Sequence, residues 1–130
     1  MTSASPAVGA SAAPTDLARL SAQAMIAGYR DGAFTPNDVI EDVIAALKRE
    51  DSRLNIMVTP LFETARREAE TATRAWKSGN PVGPLTGIPV SVKDLIYVGG
   101  APAKGGAPAL EGLIAPADAA VVERVRQAGG

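Results

Sequence analysis

The 130-residue chain contains no cysteine and no histidine. The first absence excludes disulfides, thiolate catalysis and thiolate-bound zinc. The second excludes a Ser-His-Asp triad, a histidine metal site and a histidine pH switch within this chain. Aromatic residues amount to only 4%. The 13 basic residues are matched by 14 acidic ones, for a net charge of −1, and form no long run. A dedicated nucleic-acid binder is thereby excluded as a partner class. No apolar run approaches the roughly 20 residues of a membrane span, so no membrane partner is expected. The opening stretch MTSASPAVGASAAP lacks the basic start and continuous apolar run of a secretory signal. A cytoplasmic location is the expectation from these absences. No residue cluster calls for a metal or an organic cofactor, so cofactors are expected to be none. Proton transfer near neutral pH is left to a carboxylate, a perturbed lysine or a tyrosine.

Apolar residues make up 46% and charged residues 21%, the balance of a globular chain. Residues 1–14 are rich in Ala, Ser, Pro and Gly and read as a flexible tail, because they bury too little surface to offset their ordering entropy. Residues 15–130 read as one incomplete domain. Thr15 is the expected cap of a first helix, with Leu17, Leu20, Ala24 and Ala27 at helical spacing and a stop at Asp31-Gly32. Thr35 caps the next helix, with Pro36 at its first position and Asp38 three residues after the cap. Val39, Ile40, Val43, Ile44 and Leu47 form its apolar stripe, and the two helices are expected to pair. A third helix follows Pro60 and runs to about Ser78, with Ala65, Ala69, Ala72 and Trp76 on one side and Glu63/Arg67 and Glu70/Arg74 as i,i+4 pairs. A last helix, Ala119 to Ala128, has Asp118 as its expected cap.

Three short β-type runs separate these helices: Leu54 to Thr59, Ile88 to Val92 and Leu95 to Val98. Helices first, then short strands between glycine loops and a further helix, predict an α/β layer arrangement with an incomplete mixed sheet. So few strands read as the opening part of a larger domain. The Gly99-Gly100 and Gly105-Gly106 pairs match no phosphate-binding fingerprint and read as turns.

Lys93, at the end of the Ile88 run, is the residue with the most chemistry. Desolvation at a sheet end lowers a lysine pKa and frees a neutral amine as general base, and a serine-lysine pairing needs no histidine. Periodicity alone favours the plainer reading, in which Lys93 tips a strand into water and pairs with Asp94. Lys104 reads as an exposed loop lysine, Trp76 as a packing residue, and Glu41, Asp42, Glu63 and Glu70 as a solvated face.

The stretch Pro84 to Asp94 (PLTGIPVSVKD) is more specific. Its Gly87, Pro89, Val92, Lys93 and Asp94 resemble the G-x-P-x-x-V-K-D signature of the amidase signature family. Arg53-Leu54-Asn55, the Ala-rich third helix, the early helices around Gly32 and Thr35-Pro36, and the final DAAVVERVRQAG extend the resemblance to roughly residues 15–130. The resemblance implies the amidase-signature α/β/α fold and a hydrolase of amide C–N bonds with a Ser–cis-Ser–Lys triad. Lys93 matches the family's catalytic lysine. A small-molecule amide is the implied substrate, and a homodimer is within the range of the implied parent. No segment here resembles the glycine- and serine-rich stretch that supplies both serines of the triad. The seven serines, Ser3, Ser5, Ser11, Ser21, Ser52, Ser78 and Ser91, lack glycine-rich flanks. After Gly100 the family pattern of small hydroxyl residues gives way to Ala103, Lys104, Gly105, Gly106 and Ala107. The chain alone is therefore expected to be inactive. Two alternatives accompany this reading: a fragment like the A subunit of the glutamyl-tRNA amidotransferase, and a truncated, non-catalytic interaction module.

Overall fold

A computed structural model describes residues 16–130. The tail 1–14 and the cap expected at Thr15 lie outside the described residues. Four α-helices organise the described residues: α1 (Ala22–Asp31), α2 (Pro36–Leu54), α3 (Phe62–Lys77) and α4 (Ala120–Gln127).

The first helix starts later than its periodicity suggests. Leu17–Arg19 form one 3-10 turn, Leu20 is extended, and the Ser21 hydroxyl accepts from the Ala24 N–H to open α1. The turn is held from outside, because the Leu17 N–H donates to the Asp42 carboxylate at 2.7 Å. Gly32, in the left-handed region at φ 69°, ends α1 as expected. The start of α2 also follows its sequence. Thr35 and Asp38 form a reciprocal capping box, with Pro36 in the first turn.

α2 is the centre of the packing. One side contributes Val39 to a cluster with Met25, Tyr29 and Phe34, while Ile40 and Ile44 pack on the other against Ala69, Phe62 and Ala65. Its main helical partner is α3 rather than α1. The small Ala69 lets α3 approach closely, and burying each large aliphatic of this seam contributes about 1.5–3 kcal/mol. Arg66 of α3 reaches across to Glu41 of α2 with bonds of 2.6 and 2.9 Å and also engages Glu63. Glu63 therefore pairs with Arg66 rather than Arg67. The Glu70–Arg74 pair forms at 2.7 Å as expected.

The sheet expectation is not met. Among the described residues there is no strand, only an isolated antiparallel bridge between Pro102 and Ile114. The LNIMVT run fails for a local reason. Leu54 closes α2, Asn55 turns left-handed at φ 51°, and the Asp51 carboxylate takes the N–H groups of Ile56 and Met57 at 2.7 and 2.8 Å. Those two N–H groups are then closed to a ladder partner. Ile88 to Val92 and Leu95 to Val98 have no partner strand among the described residues, and a β-type run without one stays irregular. The cap expected at Asp118 is also corrected. Ala119 is the N-cap of α4 without a side-chain bond, while Asp118 accepts from the Gly99 N–H at 2.6 Å and pairs with Arg126 at 2.9 Å. Its carboxylate ties the Gly99 loop to α4 instead of closing the helix end. No helix of the described residues is long and apolar enough to cross a membrane.

Candidate functional site

The segment that carries Lys93 begins in a double turn wedged among α1, α2 and α3. The N–H of Thr86 donates to Gly83 and that of Ile88 to Leu85, with Pro84 in the first turn and Gly87 at φ 80° in the second. Gly87 is required for two reasons. Its φ is left-handed, and a Cβ there would lie 2.6 Å from Pro36 Cγ and 3.2 Å from Ala72 Cβ. Thr86 is 1% exposed, and its hydroxyl bonds back to Gly83.

The same turn is tied to α4. The N–H groups of Leu85 and Gly87 donate to the carbonyls of Ala128 and Gly129, each at 2.9 Å. From the helical side, the Tyr29 hydroxyl donates to the Gly87 carbonyl at 2.9 Å and the Trp76 indole N–H to the Thr86 carbonyl at 3.0 Å. Burial, with a smaller contribution from the Asp38 charge, pushes the Tyr29 phenol above its ordinary range. It therefore stays a hydrogen-bond donor at any ordinary pH.

Beyond Ile88 the chain emerges. Lys93 is exposed and does not end a strand; its carbonyl accepts from the Ile96 N–H at 2.8 Å, so it opens a turn. The desolvation expected at a sheet end is absent in this arrangement. The plainer alternative, an ion pair with Asp94, is absent too: among the described residues no carboxylate engages the Lys93 amine. Asp94 instead receives the Lys104 N–H at 3.4 Å. Around Lys93 the surface is apolar, with Val90, Val92, Leu95, Ile96 and Tyr97 between 36% and 62% exposed. Two surface depressions, of about 400 and 300 Å³, lie beside α1 and at the junction of α1, α2 and α3, and Lys93 lines neither.

Three of the serines are spent on helix ends away from Lys93. Ser21 caps α1, and Ser52 and Ser78 donate to carbonyls one helical turn back. The glycine loops are turns, as expected. Gly105 and Gly106, at φ 57° and 68°, are the centre of a turn closed by the Ala107 N–H on the Lys104 carbonyl at 3.0 Å. Ala101, Ala103 and Ala115 are buried where 100–103 and 113–115 cross. Ala103 is therefore a packing residue of this crossing. Lys104 is exposed, and no group of acidic residues among those described is arranged to hold a metal ion. Tyr29 carried no sequence signal as a site residue; its partner lies 58 positions away.

Comparison with known proteins places this geometry. The Amidase family model matches residues 38–130, the stretch from the α2 capping box through the double turn and Lys93 to the end of α4. The chain belongs to the amidase family. Among its relatives is the glutamyl-tRNA(Gln) amidotransferase of Acinetobacter baumannii, to whose A subunit it is 36% identical over 115 residues, covering 88% of this chain and 23% of that protein. It is 34% identical over 111 residues to an acylamidase of Rhodococcus erythropolis, covering 85% and 23%. A solved structure from an unexpected vestigial protein complex, described as revealing the evolutionary origins of an s-triazine catabolic enzyme, superposes with a TM-score of 0.79 at 30% identity, covering 85% of this chain and 24% of that one. The chain thus spans about a quarter of the length of these relatives.

Proposed function

We propose that these residues are the base-carrying part of an amide hydrolase of Ser–cis-Ser–Lys type, and that Lys93 is the base. The observation that carries this reading is the Gly87-x-Pro89-x-x-Val92-Lys93-Asp94 stretch, leaving a rigidly seated turn and ending in an amine with no carboxylate partner among the described residues. In the reaction, a bridging serine relays a proton to the neutral Lys93 amine from a second serine. That serine's oxygen bonds to the amide carbonyl carbon. The C–N bond then breaks as the proton passes to the leaving nitrogen, and water hydrolyses the acyl ester to free the acid. The chain supplies the amine, and no serine of this sequence has the flanks of the attacking one.

Exposure of Lys93 fits this division. The apolar residues flanking Lys93 are the surface that further polypeptide would cover. Covering them takes the amine out of water, which favours its uncharged form. The substrate class is a small-molecule amide, and the site is expected to need no cofactor. Two other readings are weaker. An amidotransferase role of the A-subunit kind draws on the Acinetobacter relative, and an interaction module draws on the same exposed apolar surface. A cytoplasmic location and a homodimer of the parent remain parts of the proposal.

The test is a hybrid in which residues 16–130 replace the matching segment of the Rhodococcus acylamidase. The reading expects the purified 130-residue chain to release no amine from simple amides and the folded hybrid to do so. Turnover by the chain alone, abolished by Lys93→Ala, contradicts it, as does a folded hybrid without turnover.

A further inference from the structure

Tyr29 and Trp76 lie outside the Gly87–Asp94 signature, yet both spend their polar tips on the segment that leads to Lys93. Tyr29 lies edge-on to Phe34, with ring centroids 5.7 Å apart, and tilted against Trp76 at 5.9 Å. The two adjoining rings present two donors to two successive carbonyls, Thr86 and Gly87. Such pairing is specific: an aromatic body buried in the core aims its one polar atom at one acceptor.

We infer that Tyr29 and Trp76 are positioning residues, which fix the direction in which the chain leaves Gly87 and so where Lys93 stands. The inference rests on the reading of Lys93 as the base. Residues 89–96 are mostly exposed and, apart from the Ile96–Lys93 turn and the long Lys104–Asp94 bond, run between two anchors. Upstream is the aromatic clamp on Thr86 and Gly87, with Ile88 packed on the same core. Downstream, the Tyr97 carbonyl accepts from Ala119 at 2.9 Å and the Gly99 N–H donates to Asp118 at 2.6 Å. The downstream anchor sits on α4 and its ion pairs with Arg126, which are exposed and yielding. The upstream anchor sits on the buried Tyr29 ring and the partly buried Trp76 ring. In Tyr29→Phe the part-buried Gly87 carbonyl loses its donor while the ring still fills its place.

The experiment has two arms. In the 130-residue chain, amide hydrogen exchange is compared for Tyr29→Phe, Trp76→Phe and the parent. Exchange of the Ile88 and Ile96 amides is expected to rise about tenfold, with the amides in the middle of α2 and α3 unchanged. Unchanged exchange at Ile88 and Ile96, or a uniform rise everywhere, overturns the inference. In the acylamidase hybrid, Tyr29→Phe is expected to lower kcat about tenfold with KM within twofold, since binding groups are untouched and only the base is misplaced. Equal changes in kcat and KM, or none, overturn it. Lys93→Ala in the same hybrid separates the two ideas. If Lys93→Ala is harmless, the base assignment has failed; if it is crippling while Tyr29→Phe is neutral, only the positioning role has failed.

Discussion

Replacing Gly87 by alanine tests how tightly the double turn before Lys93 is seated. Two costs apply at this position. The backbone stands at φ 80°, where a Cβ costs about 1–2 kcal/mol. The new methyl also lands 2.6 Å from Pro36 Cγ and 2.9 Å from its Cβ. Pro36 is fully buried in the first turn of α2 and cannot withdraw, so forced overpacking adds about 1–3 kcal/mol. Loss of chain entropy in the unfolded state returns about 0.4–1 kcal/mol. The net loss is about 2–4 kcal/mol. Gly100 is the control. Its φ is 77°, but a Cβ there meets nothing within 4 Å, so Gly100→Ala carries only the backbone cost, about 1 kcal/mol after the same offset. Urea denaturation followed by the fluorescence of the single tryptophan, which is itself bonded to the turn, measures both. The two variants are predicted to differ by about 1–3 kcal/mol. Equal losses would refute the claim that the turn is wedged against Pro36.

Thr35→Ala is predicted to cost about 1 kcal/mol in the same denaturation, because Thr35 and Asp38 satisfy each other's backbone N–H at the start of α2; an unchanged midpoint contradicts the capping assignment. Glu41 gives a pH dependence. Its hydrogen bond with Arg66, then the charges of Arg66 and Lys48, hold its carboxyl below the usual 4.5. A depressed carboxyl contributes stability that is fully present above the ordinary pKa and is lost as pH falls through the lower folded value. The stability difference between the parent and Glu41→Gln is therefore predicted to be greatest above about pH 4.5 and to shrink both on acidification and with added salt. A difference that grows toward acid contradicts it.

What the sequence made legible was local. The Thr35-Pro36-Asp38 box, the Gly32 stop, the Glu70–Arg74 pair and the Ala face of α3 are each written within a few residues and appear as expected. Ser21 escapes notice as a cap because Leu17 and Leu20 continue the helical period through it, while the break depends on Asp42 of α2 holding the Leu17 amide. The strands were illegible for a different reason. A β-type composition reports what a ladder would bury, and no ladder exists among the described residues; Asp51 takes two of the N–H groups at one run, and the others have no partner strand. Lys93 was legible as a motif residue, but the desolvation that its proposed role requires was expected from a sheet that the described residues do not form. The clamp from Tyr29 and Trp76 spans 58 and 10 positions and left no pattern in composition or spacing.

The most direct measurement is kcat for amide hydrolysis by the acylamidase hybrid with Lys93 intact and with Lys93→Ala, each verified as folded by its circular dichroism. Loss of the base is predicted to lower kcat by about 10²–10⁴-fold, the usual worth of a positioned proton acceptor. A Lys93→Ala hybrid that turns over within a fewfold of its parent would contradict the account.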